Sequence, residues 1–224
     1  MSTIALGPLM IRADLLAFII SAVTGYIVLK MRLRGREESH WITDVYTNAL
    51  IIGFVAWKFG MIVFDLVRTI QNPLSLLYLT GGDKGILLGT ALALLYIGFQ
   101  LNRKRSLTIP LLKASALAFL AASSARYALL GLWLDTSGWD DLLYVLLHAI
   151  FAVIVWLKFD SSIRYFNSLA LWYSIGSVFI RFFDPDRDIV IAGLSAIQIV
   201  YVIMAIILLA SDMIINKPKQ DNVG

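Results

Sequence analysis

Seven long apolar runs, each about the length of a bilayer crossing, constrain this chain more than any other feature. A helix rises about 1.5 Å per residue and the hydrocarbon layer is about 30 Å thick, so one crossing takes about 20 apolar residues. Runs of this kind occupy Ile11–Leu29, Trp41–Val67, Gly85–Leu101, Pro110–Leu134, Asp141–Leu157, Tyr165–Phe183 and Ile189–Ser211. Apolar residues make up 59% of the 224 positions and charged residues 15%, against about 25% charged in a soluble domain. A water-soluble fold of this length has no interior large enough for so much apolar surface, so the expected solvent is lipid. Unpaired backbone groups are too costly in lipid for anything but helices or a closed barrel, and these runs are continuous rather than alternating. The expected fold class is all-α, a polytopic membrane helix bundle forming one transmembrane domain over residues 1–224.

The connections between runs are short and polar, with helix punctuation at Asn72-Pro73, Gly81-Gly82, Pro110, Thr136-Ser137-Gly138 and Asp184-Pro185-Asp186. Met1 to Met10 holds no basic segment, and the first positive cluster follows the first run, which reads as a reversed signal-anchor and not as a cleavable signal peptide. Basic residues set the orientation. One set of loops carries Lys30, Arg32, Arg34, Arg36, Arg103, Lys104, Arg105, Lys113, Lys158, Arg164, Lys217 and Lys219, whereas the opposite set carries Arg12, Arg68, Lys84, Arg181 and Arg187. Lys58 and Arg126 lie inside runs. The richer side is expected in the cytoplasm, which puts the N-terminus outside and the C-terminus inside.

Ionisable groups within a span cost about 3 kcal/mol or more unless they are paired or face a cavity. Lys58, Arg126, His148, Asp14 and Asp65 fall within runs, with Lys84 and Arg181 at the mouths of the third and sixth. All of them fall in the expected outer half of the bilayer. Arg126 sits in Ser123-Ser124-Ala125-Arg126-Tyr127, among small residues that permit close helix packing. Arginine suits bidentate phosphate contact, and lysine acts as a point charge. Two readings follow. The cluster is a cationic pocket open to the outer leaflet, fitted to a phospholipid headgroup, or it is structural pairing of Lys58 and Arg126 with Asp65 and Asp14. His148 reads as a core histidine bonded to a neighbour, Lys84 and Arg181 also fit snorkelling interfacial residues, and tryptophans and tyrosines such as Trp41, Trp133, Trp139 and Trp172 fit an interface belt.

Several chemistries are excluded or unexpected. The chain has no cysteine, so thiol catalysis, thiolate metal sites and disulfides are absent. There is no phosphate loop, zinc-binding histidine pair or nucleophile elbow, and two histidines make a metal site improbable. Neither a cofactor nor a nucleic-acid partner is expected.

Several segments occur in a familiar order. Leu6-Gly7-Pro8 precedes Ile11-Arg12; Trp57-Lys58-Phe59-Gly60 follows; then come Asn72-Pro73-Leu74, Gly81-Gly82 and Lys84 to Gly89. Arg126, Leu143-Tyr144, Tyr173, Phe182-Phe183, Pro185-Asp186 and Leu194-Ser195 with Gln198 complete the series. In this order and spacing the chain resembles the bacterial prolipoprotein diacylglyceryl transferases. These are seven-helix membrane enzymes that move a diacylglyceryl group from phosphatidylglycerol to the lipobox cysteine of a secreted prolipoprotein. The resemblance implies a multi-pass protein of the bacterial cytoplasmic membrane, with phosphatidylglycerol or another anionic phospholipid as ligand and a prolipoprotein as partner. Taken with the intramembrane charges, it gives Arg126, Lys84 and Arg181 as the expected catalytic set, and Lys58, Arg126, Asp65, Asp14, Tyr173 and His148 as the residues expected around the headgroup. The chain departs from the family at five places. Lys84 holds the family's histidine position, Ala128 and Leu129 replace the signature Gly and Asn, Val145 replaces a Glu, Ser177 replaces an arginine, and Asp135 to Asp140 replaces an extracytoplasmic head. A divergent transferase, a non-catalytic lipid-binding relative and a small transporter are the three functional readings, in that order.

Overall fold

The computed structural model of the protein describes residues 3–6, 9–71, 81–134, 139–184 and 187–215. Helices fall on all seven apolar runs: α1 Ala13–Arg32, α2 Ser39–Phe64 with a short continuation α3 Leu66–Gln71, α4 Gly82–Arg103, α5 Thr108–Leu134, α6 Trp139–Leu157, α7 Ile163–Ile180 and α8 Ala196–Ile215. Among the described residues, five stretches are long and apolar enough to cross a membrane, namely Ser39–Phe64, Lys84–Arg103, Arg105–Leu132, Trp139–Leu157 and Ala196–Met213. Their surfaces are apolar, with Leu87, Leu95, Leu132, Val153 and Ile207 all more than half exposed. That is the inverse of a soluble fold and suits a protein embedded in lipid. α1 has 20 residues; α7 has 18 and carries Asn167, Ser168, Ser174 and Ser177 among its apolar residues.

The all-α expectation needs amending at the ends of three runs. Ile11 and Arg12 belong to a hairpin, β1 Thr3–Leu6 paired antiparallel with β2 Leu9–Arg12, and not to a helix. The last run does not begin as a helix at Ile189. The β-branched Ile189-Val190-Ile191 forms strand β3, which turns back onto β4 Leu194–Ser195. The two connecting residues, Ala192 and Gly193, both have positive φ (52° and 77°), the backbone of a tight two-residue hairpin. A capping box then starts α8: the Ser195 N–H donates to Gln198 Oε1 at 2.8 Å, and the Gln198 N–H donates to Ser195 Oγ at 3.4 Å. The second run breaks at Asp65 (φ −144°, ψ 60°) before α3 resumes. Asn72-Pro73, Thr136-Ser137-Gly138 and Pro185-Asp186 lie outside the described residues.

The chain divides into two units, Met1–Val28 with Ala116–Gly224, and Leu29–Ser115. In the second unit α2 packs along α4 through glycine. A Cβ on Gly60 would lie 3.0 Å from Gly85 Cα, one on Gly85 would lie 2.9 Å from the Trp57 carbonyl oxygen, and one on Gly89 would run into the Gly53 carbonyl. The Gly81 N–H donates to the Trp57 carbonyl at 2.9 Å, a backbone bond between the two segments. Gly81, Gly85 and Gly89 follow one another at four-residue spacing, so one face of α4 is bare backbone, and close approach supplies the dispersion contact that lipid cannot.

In the first unit side-chain polar bonds tie neighbouring helices. Ser124 Oγ of α5 donates to the Val145 carbonyl of α6 at 3.2 Å. α7 and α8 are joined near both ends, by Gln198 Nε2 to the Val178 carbonyl at 3.1 Å and by Asn167 Nδ2 to Ser211 Oγ at 2.9 Å. Gln198 is fully buried, so it caps α8 and crosses to α7 at once.

Gly89→Val is expected to destabilise the detergent-solubilised protein by about 1–3 kcal/mol by forcing α4 off α2. Gly98→Val, at a position with nothing within 4 Å, should leave stability nearly unchanged. Denaturant unfolding followed by circular dichroism measures both, and equal effects would contradict the glycine contact.

Candidate functional site

Four helices of the first unit each contribute an aromatic side chain to one cluster. α5 supplies Tyr127, α6 supplies Tyr144 and His148, α7 supplies Tyr173 and α8 supplies Tyr201. The Tyr127 and Tyr144 rings stack at 5.0 Å and 15°. The His148 ring lies 5.4 Å from that of Tyr127 and 5.6 Å from that of Tyr173. Tyr173 in turn meets Tyr201 edge-on at 6.0 Å. Tyr144, His148 and Tyr173 are buried. These tyrosines are therefore not belt residues, whereas Trp139 and Trp172, 82% and 64% exposed, keep the surface position expected of a belt.

Hydrogen bonding orients His148. Its Nδ1 lies 2.6 Å from the Tyr144 carbonyl oxygen, one turn back on the same helix. A carbonyl only accepts, so Nδ1 carries the proton. Nε2 lies 3.0 Å from the Tyr173 hydroxyl, which donates to it when the ring is neutral. Both ring nitrogens are occupied, the arrangement of a core histidine bonded to its neighbours.

On α7 the residues Tyr173, Ser177 and Arg181 follow at four-residue spacing and share one face. Arg181 opens a 3-10 turn, Arg181–Phe183, that closes the helix. Its Nη1 pairs with Asp184 Oδ2 at 3.1 Å, and the guanidinium also reaches Tyr144. Arg181 and Arg126 both act electrostatically on Tyr127. Ser177, fully buried, lies beside Tyr173. Among the described residues neither Ser177 Oγ nor Arg181 Nε has a hydrogen-bond partner of good geometry, although both atoms are buried. A hydroxyl and a guanidinium, each with an unpartnered donor, thus lie beside two tyrosines toward the end of α7.

The residues expected to form one site fall into two groups. His148, Tyr173 and Arg181 come together in the first unit, with Arg126 on α5, exposed and within electrostatic reach. Lys58 and Lys84 belong to the second unit, where they flank the Trp57–Gly60 and Gly81–Gly85 contact at one level of the helix pair. Lys58 is half-buried and Lys84 exposed. Asp65, exposed at the C-cap of α2, lies beyond the point where helical periodicity from Lys58 ends. Asp14 is in α1, and its side chain lies outside the described residues. Sequence reasoning missed Tyr127, Tyr201 and the direct part of Ser177. The four-residue spacings Tyr144–His148 and Tyr173–Ser177–Arg181 are the signal that finds most of the cluster. Among the described residues no group of three metal-ligating side chains occurs.

No protein-family model matches the chain, and no curated protein matches it.

Tyr173→Phe removes the hydroxyl that bonds His148 Nε2. It is expected to cost about 1–3 kcal/mol of stability, the range for stranding a buried acceptor. Unfolding of the two proteins in one detergent measures this, and an unchanged midpoint would show that the bond carries no stability.

Proposed function

We propose that this chain is a divergent prolipoprotein diacylglyceryl transferase-like protein, which holds the headgroup of phosphatidylglycerol or a similar anionic phospholipid beside Arg181. In this reading it crosses the bacterial cytoplasmic membrane seven times, with the N-terminus outside. The basic loop residues support the orientation, since the heavier set lies at Lys30 to Arg36, Arg103 to Arg105, Lys158 and the C-terminal segment. The ends of α7 and α5 that carry Arg181 and Arg126 then face the outer leaflet.

The observation that carries the reading is the convergence of unfilled donors at the end of α7. A phosphodiester offers only acceptor oxygens and one negative charge. Arg181 Nε and Ser177 Oγ are donors without partners among the described residues, and the Tyr144 hydroxyl stands close to the same guanidinium. Charge-assisted bonds of this kind are about twice as strong as neutral ones. Arg126, exposed on α5, adds a second cation toward which the headgroup can extend.

Transfer would proceed at this clamp with a nucleophile brought by the acceptor. The thiolate sulfur of the lipobox cysteine bonds to the glyceryl carbon that carries the phosphate. The carbon–oxygen bond breaks, its electron pair leaves on the phosphate oxygen as glycerol phosphate, and the thiol proton passes to solvent or to the departing phosphate. The chain's part is to hold and neutralise that phosphate, with Arg181 and Arg126 as the groups that meet the developing charge. A specific observation favours a second reading, in which the protein binds the lipid without transferring it. The buried histidine has both nitrogens filled, and Lys84 stands where the family has its histidine.

Arg181→Ala is expected to lower the phosphatidylglycerol retained by purified protein about ten- to a hundredfold, the loss of one charged hydrogen-bonding group. Arg187→Ala, on the neighbouring loop, should leave it unchanged. Phospholipid extracted from equal amounts of each protein and quantified by mass spectrometry decides. Equal retention in both variants would sink the site.

A further inference from the structure

The hairpin before α8 has one strand that nothing in the chain covers. Ile189, Val190 and Ile191 of β3 are 61%, 64% and 63% exposed. Neighbouring side chains on a strand point to opposite faces, so a strand resting one face on the protein shows alternate burial. β3 shows no alternation, and both of its faces are bare. Its partner strand differs, with Leu194 half-buried and Ser195 buried. β4 is therefore the protein side of the hairpin, and β3 is outermost.

The chain itself sets where the hairpin lies. β4 runs straight into α8 through the Ser195–Gln198 capping box, and β3 also touches α8. The stretch Ala196–Met213 is long and apolar enough to cross a membrane. Its 18 residues rise about 27 Å, close to the thickness of the hydrocarbon layer. With α8 across the membrane, β3 lies beside the end of the span, where hydrocarbon meets headgroups. Arg187 holds it there. Its Nη1 donates to the Gly193 carbonyl at 3.3 Å, and its guanidinium carbon lies 4.6 Å from the centre of the Phe182 ring. The residues just before β3 and in the turn after it are thus tied together and to the end of α7. Phe182 and Phe183 on that end are exposed as well.

A two-stranded hairpin with three β-branched aliphatic residues bare on both faces is a poor structure in water. One rigid protein surface, a second copy of this chain included, covers one face of a strand and leaves the other bare. Acyl chains are fluid and close around both. We propose that β3 is an interfacial lipid anchor, with Ile189, Val190 and Ile191 set among the acyl chains nearest the headgroups in the leaflet where α8 begins. At that level the backbone groups on its free edge still reach water and headgroups, which a strand deeper in the hydrocarbon could not. The anchor pins the connection between α7 and α8 to the membrane surface. It requires only that α8 spans the membrane, so it stands or falls separately from the headgroup site at Arg181.

The absence of cysteine makes the test direct. Val190→Cys and Ile191→Cys, on opposite faces of β3, are labelled singly with a nitroxide in the full chain, reconstituted into vesicles of phosphatidylcholine and phosphatidylglycerol. Collision with oxygen, which concentrates in hydrocarbon, is compared with collision with a neutral nickel chelate, which stays in water. Glu37→Cys, between α1 and α2, is the water reference and Ile207→Cys, on α8, the lipid reference; all four positions are exposed, so a cysteine there disturbs no packing. At both Val190→Cys and Ile191→Cys the expected oxygen-to-chelate ratio is about tenfold above that at Glu37→Cys, because the polar chelate is excluded from hydrocarbon. A fluorophore on either cysteine is expected to be quenched more by lipids carrying a nitroxide high on the acyl chain than by lipids carrying one near the chain end. A ratio at either position equal to the water reference, low access to both reagents as under a protein partner or a second copy, or stronger quenching from the chain ends would overturn the inference.

Discussion

A bilayer contains no water with which to finish a hydrogen bond, and most of this structure answers to that constraint. Backbone groups are paired by winding each apolar run into a helix, leaving irregular backbone to the ends of the runs. Where α2 and α4 meet, Gly53, Gly60, Gly85 and Gly89 let main chains approach closely, because a hydrophobic drive between helices is missing in lipid. Where the helices of the other unit meet, single polar bonds do the joining. Ser124, Tyr173, Asn167 and Gln198 each reach across to another helix, and each has a partner there. Against that rule, the few polar atoms left without a partner stand out. Ser177 Oγ and Arg181 Nε are two of them, and they lie side by side in the register of one helix face.

His148 and Arg181 differ in how far their hydrogen bonding is complete within one cluster. His148 is closed: its two nitrogens are committed to Tyr144 and Tyr173, and aromatic rings surround it. It locks α6 to α7 and holds the tyrosines in place. Arg181 is half-open, tied to Asp184 by one nitrogen while another has no partner. In the proposed reading, a buried imidazole and a guanidinium at the helix end would let the site take an anion without a net charge deep in the hydrocarbon. With the proposed orientation, that arrangement would put the cost of the charge near the headgroup level, where water and lipid phosphate can share it.

Much of this was legible in the residues. The apolar runs mark helices because a backbone that stays apolar over about 20 residues can pair its polar groups in lipid only by winding on itself. Ser195 with Gln198 three later marks a helix start, and the structure makes it a capping box. What stayed hidden was hidden for physical reasons. Ile189-Val190-Ile191 adjoins an apolar run and merges with it in any hydropathy reading, so the hairpin shows only through Gly193 and the β-branched residues. The break at Asp65 depends on a single backbone conformation. The glycines of α2 and α4 are visible at four- and seven-residue spacing, but their mutual register is a tertiary fact. A tyrosine in a span reads as a belt residue until its neighbours are known, which is why Tyr127 and Tyr201 were invisible while His148 and Arg181, being costly in lipid, were not.

The most direct measurement is complementation in a bacterium depleted of its own diacylglyceryl transferase, following maturation of a lipoprotein in cells that express this chain. The account predicts that maturation is restored and is lost again in Arg181→Ala, with protein level and membrane insertion unchanged. Failure to restore maturation by correctly inserted protein, or restoration that survives Arg181→Ala, would contradict it.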